Sequence, residues 1–240
     1  MKRILVCEDE DTIRDFVVIN LKRAGYTVTD VGDGEEALDV FEKANGEFDV
    51  ALLDIMMPGI DGIQVCKALR EKSKSLGIIM LSAKSQEMDK VNCLMIGADD
   101  YVTKPFSPSE LIARVDAIHR RVEITRPNAD EEDAQPSTGD VESGPFKVNT
   151  RSRTITKNDK TLELTQVEYQ ILDFFIRRAG TALDRKTILK QIWGDSYYGD
   201  DKIVDVNIRR LRIKIEEDPG NPLYIQTIWG FGYKWGNEDG

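Results

Sequence analysis

Val50-Ala51-Leu52-Leu53-Asp54-Ile55-Met56-Met57-Pro58-Gly59-Ile60-Asp61-Gly62 is an apolar run that meets a carboxylate and is closed by Pro and Gly. Such a run predicts a strand buried on both faces and ended by a turn. An ionised Asp54 beside four apolar residues is costly to bury unless a cation or ligand compensates it. Asp54 is therefore expected at the strand's C-terminal mouth, where open α/β sheets bind ligands. An ordinary strand-end Asp that starts a turn fits this stretch equally well, and the flanking sequence decides between them.

On the N-terminal side, Arg3-Ile-Leu-Val-Cys7 is a compact apolar strand followed by Glu8-Asp9-Glu10-Asp11. Asp11-Thr12 opens an amphipathic helix expected to bury Ile13, Phe16, Val17, Ile19 and Leu21 and to end at Gly25 as the C′ residue. The strand–helix alternation then repeats. Strand Thr27–Val31 precedes a helix from about Glu35 to Ala44, and the Asp54 strand precedes one from about Ile60 to Lys72. Ile78–Leu81 leads into a helix around Glu87–Met95, and Tyr101-Val-Thr103 into one around Pro108–Arg121. Five β-α units imply an α/β domain, a doubly wound parallel sheet with right-handed crossovers.

From Asn128 to Pro145 there are six acids and no bases among Pro, Ser, Thr and Gly, the composition of a solvated, self-repelling linker. Beyond it, short strands are expected at Phe146–Asn149, Thr154–Lys157 and Thr161–Leu164, with a turn at Asn158-Asp159. Thr165-Gln-Val-Glu168 is a capping box, Asp184 caps a second helix ending at Trp193, and a third runs from about Ile203 to Glu217. Leu223–Ile228 and Phe231–Trp235 flank Trp229-Gly230 as a closing hairpin. Three helices finished by a ribbon predict an α+β winged helix-turn-helix. The expected division is residues 1–122, a linker at 123–144, and 145–237.

At 240 residues the chain has room for two cores. No apolar run approaches the roughly 18 residues of a membrane span, and MKRILVCEDE is too short and acidic for a signal peptide. Cys7, Cys66 and Cys93 show no metal or disulfide spacing, so a reduced cytoplasmic protein is expected. The net charge of −10 is uneven: residues 141–240 carry 16 Lys+Arg against 15 Asp+Glu, and residues 1–140 carry 17 against 28. An acidic first domain thus leaves nucleic-acid binding open to the second.

In a sheet of order 2-1-3-4-5, the ends of strands one and three adjoin at the switch point. Glu8, Asp9 and Asp54 then crowd together and raise one another's pKa values unless a cation neutralises them. Hard oxygen ligands of this kind suit Mg²⁺. The other strand ends add the Ser82 hydroxyl and the Lys104 ammonium. Together these groups can accept and hold a phosphoryl group, with Asp54 as the nucleophile.

Glu8-Asp9-Glu10, Leu53-Asp54-Ile-Met-Met-Pro58-Gly59, Leu81-Ser82-Ala83 and Gly97-Ala-Asp-Asp-Tyr101-Val-Thr-Lys104-Pro105-Phe106 resemble the receiver domain of two-component response regulators, which is flavodoxin-like. Asp205-Val-Asn-Ile-Arg-Arg-Leu-Arg212 and Gly230-Phe-Gly-Tyr233 extend the resemblance to the OmpR/PhoB family, over essentially the whole chain. The resemblance implies that Asp54 takes phosphate from a sensor histidine kinase, with Mg²⁺ held by Glu8, Asp9, Asp54 and the Met56 carbonyl. It implies a cis Lys104-Pro105 peptide and self-phosphorylation and dephosphorylation at Asp54 as the only catalysis. Ser82, where Thr is commoner, would move onto the phosphoryl group and Tyr101 would swing into the vacated space. The face of the fourth helix, fifth strand and fifth helix would then pair two copies, Lys90 with Glu110, Asp100 with Arg114 and Asp99 with Arg121. The implied partners are promoter DNA with tandem half-sites and RNA polymerase, with no membrane.

On the third helix of the C-terminal domain, Val204, Ile208, Leu211 and Ile215 form the expected buried stripe. Asn207, Arg209, Arg210, Arg212 and Lys214 form the opposite face, suited to reading bases and gripping phosphates in the major groove. Similar proteins carry Arg in the wing where this chain has Trp229, and a base where it has Ile213. Trp229 cannot act as a groove cation and is expected to pack on sugar or on a neighbouring subunit. Two other readings remain. A Mg²⁺-dependent phosphatase with an Asp nucleophile would place a second acid at position 56, which is Met. A phosphate-independent, constitutively dimeric regulator would not need the full set of Glu8, Asp9, Asp54, Ser82 and Lys104. His119, the only histidine, has no spacing that makes it a phospho-relay donor.

Overall fold

A computed structural model describes residues 2–83, 87–125, 139–195, 197 and 199–236. The chain divides at residues 123 and 124 into two compact units. The first contains β1 (Arg3–Cys7), α1 (Asp11–Arg23), β2 (Thr27–Val31), α2 (Gly34–Lys43), β3 (Val50–Asp54), α3 (Gly62–Lys72), β4 (Gly77–Ser82), α4 (Glu87–Met95), β5 (Asp100–Thr103) and α5 (Pro108–Thr125). Its sheet is parallel throughout, in the order β2-β1-β3-β4-β5.

Every residue of β3 and β4 is buried. Ile4, Val6, Leu52, Leu81 and Val102 pack with Val17 and Leu21 of α1 and Leu111, Val115 and Ile118 of α5. Full burial of each such side chain stabilises the fold by about 1.5–3 kcal/mol before entropy is counted. In α1, Phe16 and Ile19 depart from the expected core: they are 39% and 48% exposed, and Val18 is buried instead. Ile19 lies two residues from both Val17 and Leu21, roughly 200° around the helix, so it faces away from the sheet. Gly25 follows α1 at φ +89°.

The turn after Asp54 is fixed by local chemistry. Asp61 caps α3 in a reciprocal capping box with Gln64. Gly62 lets the helix start against β3, because a Cβ there would collide with the Asp54 carbonyl oxygen. The Lys104-Pro105 peptide is cis.

The second unit opens with an antiparallel sheet of β6 (Val141–Ser143), β7 (Phe146–Asn149), β8 (Thr154–Lys157) and β9 (Lys160–Thr161). β6 falls inside the stretch read as linker and pairs with β7, so sheet structure begins before residue 145. Residues 126–138 of that linker lie outside the described residues. Asn158 and Asp159 both have positive φ, 50° and 60°, as a two-residue hairpin turn requires. The third strand is shorter than expected because the chain leaves it to reach Thr165, which caps α6 (Gln166–Ile176) with Glu168 in a capping box.

Next come β10 (Ala182–Asp184), α7 (Arg185–Trp193), α8 (Lys202–Ile215), β11 (Ile225–Ile228) and β12 (Gly232–Trp235). The sheet order β10-β12-β11 adds a strand, β10, that the sequence reading did not foresee. Phe146, Tyr224 and Trp235 form an aromatic cluster with ring centroids 4.7–5.6 Å apart. Val204, Ile208, Leu211 and Ile215 are all buried. Among the described residues, no helix is long and apolar enough to cross a membrane.

Candidate functional site

Strand register assembles the acidic mouth. Cys7 lies opposite Leu53, so Glu8 and Asp9 leave β1 beside Asp54. Leu81 lies opposite Asp54 and Ser82 opposite Thr103, which brings Ser82 and then Lys104 to the same edge. Carboxylate oxygens of Glu8, Asp9 and Asp54 lie within 4.8 Å of one another. Lys104 Nζ is 2.7 Å from Glu8 Oε2 and 3.2 Å from Asp54 Oδ1. Both carboxylates are buried while Asp9 is exposed. Burial pushes the Glu8 carboxyl up, against the hydrogen bond from Lys104, and the nearby Asp54 charge adds to the rise.

One ammonium facing three carboxylates leaves this mouth negative. Lys104 gives its hydrogen bond to Glu8 Oε1 at 2.8 Å, so the buried Asp54 Oδ1 and Glu8 Oε2 share that one ammonium as an ion pair. That hard-oxygen set, short of positive charge, fits a divalent cation such as Mg²⁺. The site opens into a cavity of about 640 Å³ that Met56, Phe16 and Phe106 also line. The Met56 side chain is 58% exposed at its rim. Cys7, just beneath, is no competing nucleophile: burial, with Asp33 and Asp54 adding, pushes its thiol up to about 12.

Arg14 was missed by the sequence reading. Its Nη1 donates to the Glu8 carbonyl at 2.7 Å, its Nη2 pairs with Asp11, and Asp30 lies 3.7 Å from Nε. An Arg in the first turn after four consecutive acids was the available signal.

The proposed pairing face is partly spent within the chain. Ser82 and Tyr101 are buried, and the Lys90 ammonium sits 4.8 Å over the Tyr101 ring. Asp100 is fully buried and accepts from Arg114 Nη1 at 3.1 Å, while Arg114 Nη2 reaches Glu110 at 3.0 Å. Burial raises the Asp100 carboxyl, against the pull of the Arg114 charge. Asp99, expected to pair with Arg121 of a second copy, is turned inward: it accepts from Arg70 Nη2 at 2.7 Å and from the Ile78 amide at 2.9 Å. The Arg121 side chain lies outside the described residues.

Along α8, Arg209 and Lys214 are exposed, as expected. Asn207 and Arg210 are not on that face. Asn207 is fully buried and donates to the Ile203 carbonyl at 2.8 Å. Arg210 is 6% exposed and pairs with Glu168 at 2.9 Å, and Lys214 joins the same carboxylate at 2.6 Å. Burial would raise the Glu168 carboxyl, yet these two cations hold it below the ordinary glutamate value. Arg212 is half-buried, donating to the Ile225 carbonyl at 2.6 Å and to Thr227 Oγ1 at 2.9 Å. Tyr233 donates to Asp205 at 2.6 Å, and burial together with that carboxylate pushes its hydroxyl up to about 12. The Asp205–Arg212 and Gly230–Tyr233 motifs therefore meet in space, tying the ribbon to α8. Trp229 stands 92% exposed at the tip of that ribbon.

A parallel sheet with an acidic mouth, followed by a winged helix, defines the class: a two-domain transcriptional response regulator. The description "Response regulator receiver domain" matches residues 4–116, and "Transcriptional regulatory protein, C terminal" matches residues 159–235. Sensory transduction protein RegX3 of Mycolicibacterium smegmatis is 42% identical over 98% of this chain and 99% of its own length. The alkaline phosphatase synthesis transcriptional regulatory protein PhoP of Bacillus subtilis is 44% identical over 97% and 96%. The crystal structure of DrrB, a Thermotoga maritima OmpR/PhoB homologue, is similar over 99% of this chain and 100% of its own, with 31% identity and a TM-score of 0.50. A mutant of RitR, 24% identical with a TM-score of 0.74 over 99% and 100%, shares the fold. The chain belongs to the OmpR/PhoB-type response regulators.

Proposed function

We propose that this chain regulates transcription when Asp54 is phosphorylated by a sensor histidine kinase. The observation that carries this reading is the buried Asp54 carboxylate, 3.2 Å from Lys104 beside Glu8 and Asp9. An Asp54 oxygen forms a P–O bond to the phosphorus of a phosphohistidine. The P–N bond breaks, and the imidazole leaves with its electron pair and is protonated from solvent. Lys104 offsets the charge of the incoming group, and the Ser82 hydroxyl donates to one of its oxygens. Glu8, Asp9, Asp54 and the Met56 carbonyl would hold Mg²⁺, which when bound supplies the remaining positive charge. Tyr101 then swings into the space that Ser82 vacates, as the switch residue.

The α4-β5-α5 face then pairs two copies, Lys90 with Glu110 and Asp100 with Arg114, each contact repeated by two-fold symmetry. Because Arg114 already holds Asp100 within one chain, dimerisation exchanges this pair for its crossed equivalent. Arg121 completes the face, and the inward-turned Asp99 takes no part. The dimer binds tandem half-sites in promoter DNA through α8 and the wing, with RNA polymerase as the further partner. The burial of Tyr101, only 8% exposed, favours one second reading: a regulator that dimerises without phosphate.

Incubation with acetyl phosphate and Mg²⁺, followed by intact-mass measurement, tests the acceptor. Wild type should gain one phosphoryl group and Asp54→Asn none. A gain in Asp54→Asn moves the acceptor elsewhere, and no gain in either protein removes the phosphorylation reading.

A further inference from the structure

Two of the three acids at the mouth sit on one loop, Glu8-Asp9-Glu10, between β1 and α1. Glu10 is the N-cap of α1, at φ −82° and ψ 109°, and its side chain makes no capping hydrogen bond. The unpaired amides of a helix N-terminus ordinarily draw a polar cap side chain onto themselves, which also fixes the loop that leads in. Here that restraint comes from inside the helix instead. Arg14, one turn into α1, reaches back so that Nη1 donates to the Glu8 carbonyl at 2.7 Å. On its other side the Glu8 amide donates to the Val31 carbonyl at 3.2 Å. The main chain of Glu8 is therefore held at both ends, and its carboxylate accepts from Lys104 Nζ at 2.8 Å. The guanidinium is itself braced. Its Nη2 pairs with Asp11, its Nε lies 3.7 Å from Asp30 of β2, and only 19% of the side chain is exposed. It also lies so close to Gly32 that a Cβ there would come within 3.3 Å of Nη1.

We infer that Arg14 is a positioning residue for divalent-cation binding: by holding the Glu8 main chain it fixes the direction in which Glu8 and Asp9 present their carboxylates. The inference rests on the Mg²⁺ reading above and adds how this chain prepares its ligands. Carboxylates aimed before the ion arrives have less freedom to lose on binding, and residues that orient metal ligands are worth about 10–100-fold in affinity. Charge and positioning predict opposite signs. Arg14 is a cation beside a site for a cation, so by Coulomb's law alone its removal tightens Mg²⁺ binding. Positioning has its removal weaken binding. Lysine separates the two further. It keeps the charge, but one ammonium does not replace a planar fork that spans Glu8, Asp11 and Asp30.

Calorimetric titration of the metal-stripped full-length protein with MgCl₂ reads the affinity without any phosphoryl transfer. Arg14→Gln should bind Mg²⁺ about tenfold more weakly than wild type, and Arg14→Lys should fall between the two. Thermal unfolding supplies the control. Without metal, Arg14→Gln should lower the midpoint by less than about 4 °C, because the partners it leaves are near the surface. The rise in midpoint produced by a fixed concentration of Mg²⁺ should be smaller in Arg14→Gln than in wild type. Arg14→Gln binding Mg²⁺ as tightly as wild type, or more tightly, overturns the inference. A midpoint lowered equally with and without Mg²⁺ overturns it too, and assigns Arg14 to the fold alone. If Arg14→Gln does not fold, Arg14→Lys decides: affinity equal to wild type means that charge suffices and positioning is wrong. Wild type that takes up no Mg²⁺ rejects the metal reading itself, and the inference falls with it.

Discussion

At the mouth of the sheet, Glu8, Asp9, Asp54, Ser82 and Lys104 arrive from four strand ends and converge on one edge. Along α8, Asn207, Arg209, Arg210, Arg212 and Lys214 share one helix yet part company. The difference lies in the backbone geometry. Parallel strands end at a common rim, so residues just past each end meet whatever the side chains are. A helix turns about 100° per residue, so a row one step from the buried stripe is still half turned inward. Ile203, Asn207, Arg210 and Lys214 form such a row, beside Val204, Ile208, Leu211 and Ile215, and α6 offers it the buried Glu168. Charge at the mouth therefore gathers at one point, whereas much of the charge on α8 holds the domain together.

The comparison breaks first at Lys104. Lys104→Met should slow phosphoryl uptake from acetyl phosphate by about 100-fold, because the buried carboxylates lose their compensating cation. An effect below about threefold by intact-mass kinetics would mean that Lys104 only packs there. Next in size, Arg210→Ala should cost the second unit about 3 kcal/mol by leaving Glu168 with less compensation, read as a lower Tm. Arg209→Ala should leave stability within about 0.5 kcal/mol and weaken DNA binding instead. Equal stability losses from the two would erase the distinction between structural and contact charges on α8.

Glu168 sharpens the same point through pH. Its folded-state pKa lies below the ordinary value of 4.5, so its stabilising share is complete above about 4.5 and is lost as pH falls through the depressed value. Acid titration of the unfolding midpoint should therefore be steeper below 4.5 in wild type than in Glu168→Gln. The smallest effect is expected at Ile19, which is 48% exposed: Ile19→Gln should change stability by no more than about 0.5 kcal/mol. A loss of several kcal/mol there would restore Ile19 to the core.

The buried strands, the carboxylates at their ends and both capping residues Thr165 and Asp184 were legible in the sequence because each rests on a local rule, whereas the sheet order came from the doubly wound fold class. Apolar runs make buried strands, carboxylates at strand ends need a cation, and hydroxyl or carboxylate caps satisfy helix N-termini. What stayed hidden depends on partners distant in sequence. Asp99 reads as a partner for Arg121 on the pairing face until Arg70, 29 residues earlier, is seen to claim it. Arg210 reads as a DNA contact until Glu168 is found beneath it, and β10 becomes a strand only through its register with β12. Arg14 differs, since the Glu8 carbonyl that it holds is only six residues away and the four acids before it were the available signal.

The central claim is that the charge state of Asp54 governs how many copies of the chain associate. Molar mass in solution, with Mg²⁺ and before and after beryllofluoride, tests it most directly in wild type and Asp54→Ala. A shift from monomer to dimer in wild type alone is the predicted result. A dimer in every sample would contradict it, assign the protein to phosphate-independent regulation, and leave the acidic mouth without a part in the switch.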